Sequence, residues 1–445
     1  MDIPSVLPGI IFTIVSVAVG IAMFVGVIVT IVKVVKGTGS VQRKPDFMDR
    51  RHEIKPSANS GYDGETKRLC KVLEADKLFE IASGLSDEDG FKSDYGKWLA
   101  YMNAAADKGY APALRELGLD SKYGDPLKCV KYLERAIEAG DEKAAVELAE
   151  IYRCGYCGKD SVLIERDVDK AMKIVLPFAQ NGGVEAQAAL AKIYQYEVDD
   201  DDTALEWYLK AAEQGDVNAM CQASDIYLYF KKEDGGQEKA EALLLKAAER
   251  GHADAECKIG MFYADIKEDY KQAVKWLEKA VEHGDSYSAC YLGEMYLKGE
   301  GVLQDESAAV KYFEKAKDAD YPYGIYLLGK CYFDGTGVEQ DLKRAIEMYE
   351  EVADYDSDAQ YALGMCYLNG EGVKKNVDKA VKYLIEASED SDAASYKLGE
   401  LYYNGTHVKR DEERAREFWR NAAEEGNEDA IECLKIYFGE RFGND

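Results

Sequence analysis

The sequence predicts an all-α protein: a right-handed superhelical α/α solenoid of stacked helix pairs, preceded by one transmembrane helix. Three observations predict this fold class. An uncharged apolar run occupies residues 7–32 near the N-terminus. Alanine then recurs about every 35 residues through most of the remaining chain. The apolar residues around these alanines follow the three- and four-residue steps of an α-helix.

The apolar run predicts a membrane-spanning helix over residues 10–32, with residues 1–9 as a short extracytoplasmic N-terminus. A helix of 23 residues is about 35 Å long, which exceeds the roughly 30 Å of bilayer hydrocarbon. A cleaved signal peptide is the alternative, but it starts with basic residues and has a shorter apolar core. Here the start is acidic, at Asp2, and the basic residues follow the run. A permanent anchor is therefore the prediction.

Positive charge follows the predicted span. Residues 1–55 contain seven Lys and Arg against four Asp and Glu, and none of these cations precedes the span. By the positive-inside rule, the N-terminus lies outside and the body of the chain lies in the cytoplasm. Residues 33–64 carry Gly, Ser, Pro and mixed charge without periodicity, which predicts a basic juxtamembrane linker.

Small residues define the repeat. In the clearest segments an alanine precedes a second small residue by seven positions, with aromatic and aliphatic residues between them. Such spacing allows two helix backbones to approach closely. The first small position falls at Cys129, Ala171, Ala204, Ala240, Ala273, Ala309, Ala345, Ala380 and Ala415. The intervals predict a solenoid over residues 65–445 with about nine to ten repeats, clearest at 286–425.

A second motif alternates with the first at the same period. It reads ACYLGEMYLKGEGV at 289–302, YLLGKCYFDGTGV at 326–338 and YALGMCYLNGEGV at 361–373. Its glycines suit the left-handed conformation that ends a helix, and an acid-containing stretch such as 376–378 begins the next helix. Each unit is therefore predicted to be helix A, a glycine loop, helix B and a short acidic turn.

The combined pattern is A-x-x-L-G-x-x-Y-x-x-G-x-G-V followed by D-x-x-K-A-x-x-Y/W-x-x-x-A. It resembles the Sel-one-like repeat (SLR), a relative of the tetratricopeptide repeat (TPR) with slightly longer units. The resemblance covers about residues 95–438 and is weaker where the glycine loop is shortened, at 194–203 and 230–238. It implies an SLR/TPR-like adaptor that assembles other proteins, often at membranes.

The body of the chain is strongly acidic. The whole chain has a formal charge of −28 although residues 1–55 carry +3, so the remainder carries −31. Nucleic-acid binding depends on cations that neutralise phosphates, so we expect no nucleic-acid partner. The acidity has two explanations, which are surface solubility and recognition of partner proteins with basic surfaces. We expect no small-molecule substrate.

Residues suited to catalysis or metal binding are few. His252 and His283 lie in predicted inter-repeat turns, and His407 replaces a loop glycine, so a structural role is expected for each. The Gly-x-Gly pairs lack the strand and the third glycine of a dinucleotide site. Some cysteine-rich SLR proteins have been linked to penicillin binding, but the chain contains no Ser-x-x-Lys motif. We expect no enzyme, catalytic residue, metal or cofactor; a hydrolase of the cysteine-rich SLR type is the least favoured alternative.

The ten cysteines occupy regular positions that favour free thiols. Cys221, Cys257 and Cys290 share one position in helix A, and Cys331 and Cys366 share another. Secreted SLR relatives pair a helix A cysteine with a helix B cysteine that this chain lacks. Small buried thiols in a reducing cytoplasm are therefore predicted.

Cys154 and Cys157 form an isolated C-x-x-C pair. A zinc site would need a second pair at a suitable distance, and a redox site would need a thioredoxin-like βαβ context. The pair lies in the longest predicted loop, where a loop-specific contact is the remaining interpretation.

A partner-binding surface is predicted on helices A, which commonly line the concave side of such solenoids. Positions two and six residues after Ala359 point away from the predicted core, at about 200° and 240° around the helix. The equivalent residues are Tyr326, Lys330, Tyr361, Met365, Tyr396 and Glu400. Exposed tyrosine and methionine suit a protein interface. In the alternative, the tyrosines pack against the adjacent repeat.

These features predict a membrane-anchored scaffold or adaptor that binds other proteins through its helical repeats in the cytoplasm. The alternative is a regulatory or receptor-like protein whose solenoid faces the cell exterior.

Overall fold

The computed structural model describes residues 64–86, 94–157, 162–230 and 235–440. They form two compact helical units, divided after Ala247. The predicted span at 10–32 and nearly all of the predicted linker at 33–64 lie outside the described residues. Within the described part of the chain, no helix is long and apolar enough to cross a bilayer.

The N-terminal unit is a stack of antiparallel helices. Its helices are α1 Gly64–Val72, α2 Ala75–Ser83, α3 Tyr95–Asp107, α4 Ala111–Ser121, α5 Pro126–Glu138, α6 Glu142–Cys154, α7 Val168–Gln180, α8 Val184–Ile193, α9 Asp201–Glu213 and α10 Val217–Phe230. Helix α11, Gly236–Ala248, ends at the boundary between the units.

The C-terminal unit repeats the same hairpin more regularly. Its helices are α12 Ala253–Met261, α13 Tyr270–Glu282, α14 Ser286–Lys298, α15 Glu306–Asp318, α16 Pro322–Asp334, α17 Leu342–Val352, α18 Ser357–Asn369, α19 Val377–Ala387, α20 Asp392–Asn404, α21 Glu412–Glu424 and α22 Glu428–Cys433. Here the even-numbered helices are the predicted helices A, and the odd-numbered helices are the predicted helices B. The all-helical repeat solenoid is confirmed.

Acidic or amide side chains begin the helices B, as the sequence predicts. Each accepts a hydrogen bond from the backbone N–H three residues later, which satisfies one of the free donors at the helix start. The N-cap residues are Asp269, Asp305, Asp341, Asn376 and Asp411.

Glycine ends the regular helices A. Gly299, Gly335, Gly370 and Gly405 follow these helices with φ between 65° and 83°, a conformation that glycine adopts without strain. The next glycine of the loop has a packing role as well. The N–H of Gly337 donates to Oε2 of Glu306 at 3.1 Å, and a Cβ there would collide with the Glu306 backbone. The predicted helix stops are confirmed.

The predicted alanines lie at the contact between paired helices. Ala273, Ala309, Ala345, Ala380 and Ala415 are all completely buried. On the facing helix A, a glycine at a regularly repeated position leaves space for a larger residue of helix B. A Cβ on Gly329, for example, would lie 2.8 Å from Cε1 of Tyr349. Small side chains therefore set the close approach of the two backbones.

One short sheet departs from the all-α prediction. Strands β1 Tyr156–Cys157 and β2 Val162–Ile164 form an antiparallel hairpin in the longest loop, between α6 and α7. Ile164 is buried against the core of the N-terminal unit. The sequence predicted only a loop here, because a three-residue strand is too short to give an alternating pattern.

Three helices A end in a π-helical turn instead of the glycine loop. These turns are Tyr194–Val198 after α8, Phe262–Ile266 after α12 and Leu434–Phe438 after α22. After the first two, Asp199 and Glu268 adopt positive φ values of 61° and 53°. The wider turn and these left-handed residues replace the missing glycines, which explains the shortened loop at 194–203.

Candidate protein-binding face

Helices A of the C-terminal unit present a row of aromatic and charged side chains on one side. We call this surface the tyrosine face and define it by Tyr287, Tyr291, Glu294, Tyr323, Lys330, Asp358 and Met365. Within a helix these residues follow steps of four and three, as in 287, 291 and 294 on α14, which keeps them on one side of the helix. All seven are exposed or half-buried.

Tyrosine hydroxyls join neighbouring helices A across this face. The Tyr323 hydroxyl on α16 donates to Oε1 of Glu294 on α14 at 2.9 Å. The Tyr291 hydroxyl donates to Oδ1 of Asp265, in the turn that follows α12, at 2.5 Å. Partial burial and the adjacent carboxylates raise the pKa of both tyrosines, because a tyrosinate would be desolvated and repelled. Both hydroxyls therefore remain neutral donors.

Rings of α16 stack toward the core. Tyr323 and Tyr326 have ring centroids 6.0 Å apart with an interplanar angle of 30°. Tyr326 then contacts Tyr349 of the paired helix α17, at 5.8 Å. The stack holds the Tyr323 ring in a fixed orientation at the rim of the face.

Carboxylates surround this stack. Burial raises the pKa of Tyr326, and Asp358, Asp356, Asp334 and Glu294 raise it further by repelling the tyrosinate charge. Partial burial also raises the pKa of Asp356 to about 6, although its carboxylate accepts the N–H of Ala359. The exposed side chain of Lys330 lies among these groups and partly compensates their charge. The local potential is therefore negative.

Two of the six predicted site residues, Lys330 and Met365, belong to this face, and the other four lie outside its definition. Tyr326, Tyr361, Met365 and Tyr396 are half-buried and pack against the core, whereas Lys330 is exposed. Glu400 is half-buried and forms an ion pair with Lys397 at 3.1 Å. The carbonyl of Tyr396 accepts a hydrogen bond from Nε1 of Trp419 at 3.2 Å. The ring of Tyr326 contacts Tyr349 of the paired helix α17, within its own repeat.

Sequence reasoning missed the residues nearer the middle of the face. Tyr323 and Asp358 precede Tyr326 and Tyr361 of the predicted stripe by three residues, whereas Tyr287, Tyr291 and Glu294 lie on α14, where no stripe residue was predicted. The available signal was a seven-residue spacing on successive helices A, from 287 to 294, 323 to 330 and 358 to 365. Lys330 and Met365 belong to both the predicted stripe and the tyrosine face.

An ion network occupies the loop side of the N-terminal unit. Arg153 donates to Glu150 at 2.7 Å and to Glu197 at 2.6 Å, and Arg166 also contacts Glu197. The hydrogen bond from Arg153 lowers the pKa of Glu150 to about 2. Partial desolvation of the sulfur and the Glu150 carboxylate raise the pKa of the neighbouring Cys154 thiol. A raised pKa disfavours a reactive thiolate at Cys154. The network therefore stabilises the packing of α6, α8 and the hairpin segment.

Two of the histidines, His283 and His407, have structural surroundings, and His283 makes one contact that the sequence did not predict. Nδ1 of half-exposed His283 lies 2.6 Å from Oε2 of Glu256, whose side chain is 2% exposed. His407 adopts φ 73° in its loop, in the place of a glycine. The Glu256 carboxylate is thereby paired inside the repeat.

The described cysteines are free, as predicted. Nine have described side chains; Cys129, Cys221, Cys257, Cys290, Cys331 and Cys366 are buried, and Cys154 is exposed. Burial raises the pKa of the Cys257 and Cys290 thiols to about 12. They are inert small residues of the core. The side chain of Cys157 lies outside the described ones.

The helix pairs, glycine loops and buried alanines recur in register with one known repeat family. The Sel1 repeat matches nine consecutive segments that together run from residue 111 to residue 427: 111–141, 143–182, 184–216, 218–252, 253–285, 286–321, 322–354, 357–392 and 392–427. The chain belongs to the Sel1 repeat family. Nine repeats agree with the count that the alanine spacing predicts. Sel1 repeat solenoids commonly mediate protein–protein interactions and are typically non-catalytic.

Two solved structures are similar to this chain. The crystal structure of a protective antigen of uropathogenic Escherichia coli, which displays an SLR fold, is similar with a TM-score of 0.50 and 25% identity. That similarity covers 85% of this chain and 84% of the antigen. A Sel1 repeat protein from Oxalobacter formigenes has a TM-score of 0.45 and 23% identity, over 82% of this chain and 94% of that one.

A curated protein of Neisseria meningitidis serogroup B, described as uncharacterized, is 29% identical over 220 residues. The match covers 48% of this chain and 44% of that protein, so the chain spans less than half of this relative's length.

Proposed function

We propose that this Sel1 repeat protein is a membrane-anchored scaffold that captures partner proteins on the tyrosine face of its C-terminal unit. One observation carries the proposal. Successive helices A present half-buried tyrosines whose hydroxyls and rings are already held by neighbouring repeats, as in the Tyr323–Glu294 and Tyr291–Asp265 hydrogen bonds. A held aromatic side chain loses little conformational entropy when a partner covers it.

The composition of the face suits a protein partner. Tyrosine offers a large apolar ring with a polar tip, and methionine adapts to irregular surfaces. Met365 lies half-buried on α18, and exposed Lys330 lies on α16. A surface of this kind can bury apolar area and still satisfy polar groups at its rim.

Partner capture tests the proposal directly. The full chain carrying Met365→Ala should recover fewer specific proteins from a lysate of its source cells, as quantified by mass spectrometry. The matched control is Ile385→Ala, which removes one exposed apolar residue from a helix B. Equal losses with both variants, or no loss with either, would show that partners do not bind at the tyrosine face.

The proposed anchor is the helix over residues 10–32, with the N-terminus outside and the solenoid in the cytoplasm. Its support is the length of the uncharged run and the position of the cations after it. The free thiols of the described part give independent support, since reduced cysteines are usual in the cytoplasm.

A second candidate places the solenoid outside the cell. The Escherichia coli structural relative is a protective antigen, and this observation favours an outward-facing protein. Cys154 can decide between the two because its side chain is exposed, whereas most of the other described cysteines are buried.

In the test, a membrane-impermeant maleimide is applied to intact and to permeabilised cells, with Cys154→Ser as the background control. A cytoplasmic solenoid predicts that Cys154-dependent labelling appears only after permeabilisation. Equal labelling of intact cells would establish the outward orientation.

A further inference from the structure

We propose that the tyrosine face binds a cationic, Lys- or Arg-rich segment of a partner protein. This inference rests on the proposed function and states the chemistry of the partner. It depends on the charge around the α16 stack and on the absence, among the described residues, of internal cations over the rings of the face.

Charge complementarity is the first argument. Four carboxylates surround the Tyr323–Tyr326 stack, and the exposed cation Lys330 offsets part of their charge. They belong to Glu294, Asp334, Asp356 and Asp358. Asp334 and Asp358 are exposed, and Glu294 is half-buried. The Glu294 carboxylate accepts the Tyr323 hydroxyl through one oxygen, which leaves its second oxygen available to a further donor. A guanidinium or ammonium group would find several acceptors within one patch.

The ring faces supply the second argument. On the other side of the C-terminal unit, aromatic rings are covered by the chain's own cations. Lys279 lies 3.9 Å from the Trp276 ring centroid, Lys315 lies 5.1 Å from Tyr312, and Arg344 lies 4.1 Å from Tyr332. Rings of this kind attract cations through the negative potential of their faces.

The rings of the tyrosine face differ in this respect. Among the described residues, no Lys or Arg of the chain lies over the ring of Tyr287, Tyr291, Tyr323 or Tyr326. Tyr323 and Tyr326 stack on each other, and Tyr287 and Tyr291 contact each other at a tilt. The hydroxyls of Tyr291 and Tyr323 donate to carboxylates. The same chemistry that places internal cations over the rings of Trp276, Tyr312 and Tyr332 thus remains available here to a cation from outside.

A third argument concerns the approach of the partner. The chain beyond residue 55 has a net charge of −31, so it attracts a cationic segment over a distance before contact. Attraction by the whole surface carries no specificity, so the carboxylates and rings of the face must provide it. Binding should therefore depend on salt in general and on the face in particular.

The experiment measures binding of a defined probe to the full chain in detergent micelles. The probe is a fluorescein-labelled peptide of repeating Arg-Gly-Ser triplets, followed by fluorescence anisotropy, with repeating Glu-Gly-Ser as the negative probe. The charge variant is Glu294→Gln with Asp358→Asn. Its control is Glu314→Gln with Asp318→Asn, which removes the same charge from exposed positions on α15.

The charge variant should weaken probe binding about tenfold, since each removed ion pair contributes a factor of a few. The control should change it less than about twofold, because distant charges are screened. At Tyr323, substitution by Phe should retain most of the binding because the ring remains, whereas Leu should lose it. Circular dichroism and thermal unfolding of each variant verify that the fold is intact.

Three outcomes would overturn the inference. The first is equal weakening by the charge variant and its control, and the second is equal binding by Tyr323→Phe and Tyr323→Leu. The third concerns the basic stretch 33–55 of the chain itself. If replacing its Lys and Arg by Gln strengthens probe binding at the face, the occupant is that stretch and not a partner protein.

The inference and the proposed function fail separately. If Met365→Ala reduces partner capture but binding of the Arg probe does not depend on the face, the scaffold stands and the cationic partner is wrong. If the probe depends on the face but no captured protein does, the binding chemistry stands and the scaffold proposal is wrong.

Discussion

Gly364 of α18 lies directly against Leu384 of α19, so closely that a methyl group on Gly364 would be 2.8 Å from Cγ of Leu384. Leu384 is completely buried. The contact shows how the repeat works: a glycine in helix A provides the space into which a large residue of helix B packs. Each hairpin of the C-terminal unit depends on one such fit.

Gly364→Ala should therefore destabilise the solenoid by about 1–3 kcal/mol through overpacking. Urea unfolding followed by circular dichroism measures the change. The matched control is Gly124→Ala, where the added methyl group meets nothing within 4 Å. That change should be neutral or slightly stabilising, because alanine restricts the unfolded chain. A larger loss at Gly124 than at Gly364 would contradict the steric explanation.

A second prediction concerns Asp141, which has two roles. It caps α6 by accepting the N–H of Ala144 at 2.8 Å, and both its carboxylate oxygens accept from Nη1 of Arg115, at 3.0 and 2.8 Å. Its side chain is 6% exposed and that of Arg115 is 18% exposed. Asp141→Ala should cost about 2–4 kcal/mol, because it removes the cap and leaves the half-buried Arg115 guanidinium with only the longer, 3.5 Å contact to Glu116.

The exposed cap Asp125 provides the comparison for Asp141. It accepts only the N–H of Lys128 in the described contacts, at 3.0 Å, so Asp125→Ala should cost about 1 kcal/mol. Chemical denaturation of both variants measures the difference. Equal costs would show that the Arg115 pair adds nothing to the cap.

A third prediction is a pH dependence at Asp356. Partial burial raises the pKa of this carboxyl from 3.8 to about 6 in the folded chain. The folded state therefore binds the proton more tightly than the unfolded state. The stabilisation by protonation is complete below about pH 4 and is lost as the pH rises through about 6.

Asp356→Asn should accordingly stabilise the chain by about 1 kcal/mol at pH 7 and have little effect at pH 4, since asparagine also caps helices. Asn376 already does so at the start of α19. Asp356→Ala is the control, because it removes the cap as well and should be about 1 kcal/mol less stable than Asp356→Asn at both pH values. Thermal unfolding across this range measures both variants; a benefit of Asn that persists at pH 4 would exclude protonation as the cause.

A fourth prediction tests the anchor. Deletion of residues 1–32 should move the protein from the membrane pellet to the soluble fraction, because the proposed span carries the hydrophobic area that inserts into the bilayer. Immunoblotting of the two fractions measures the distribution. The control variant replaces Lys and Arg of residues 33–55 by Gln and should remain in the pellet. Release by the control alone would assign membrane attachment to the basic stretch.

The repeat could be read from the chain because its signals are local. The alanines of helix B, the N-cap acids and the Gly-x-Gly loops each act within a few residues, and all lie where the spacing places them. The free thiols followed from the same periodicity, since Cys257 and Cys290 occupy equivalent core positions. The β1–β2 hairpin and the π-helical turns have no comparable local sequence pattern, so they were not predicted.

The candidate binding face was predicted only in part. A step of 100° per residue locates the outer side of an isolated helix, but Tyr326 lies at its edge, where it packs against Tyr349 of the paired helix. How much of a side chain remains exposed depends on how adjacent helices pack, which no single helix encodes. Tyr323 and Glu294 therefore emerged as a pair only in the folded chain.

The sequence alone determined the helical hairpin, its period, its caps and the small residues at its contacts, because each depends on neighbours within one or two turns. Tertiary structure alone decided which hydroxyl meets which carboxylate, that Glu256 is buried beside His283, and that Arg153 joins Glu150 to Glu197. The pairs that connect different helices join residues about 26 to 44 positions apart in the chain. Their geometry follows from the stacking of repeats, which arises only when the hydrophobic faces of successive hairpins are buried together.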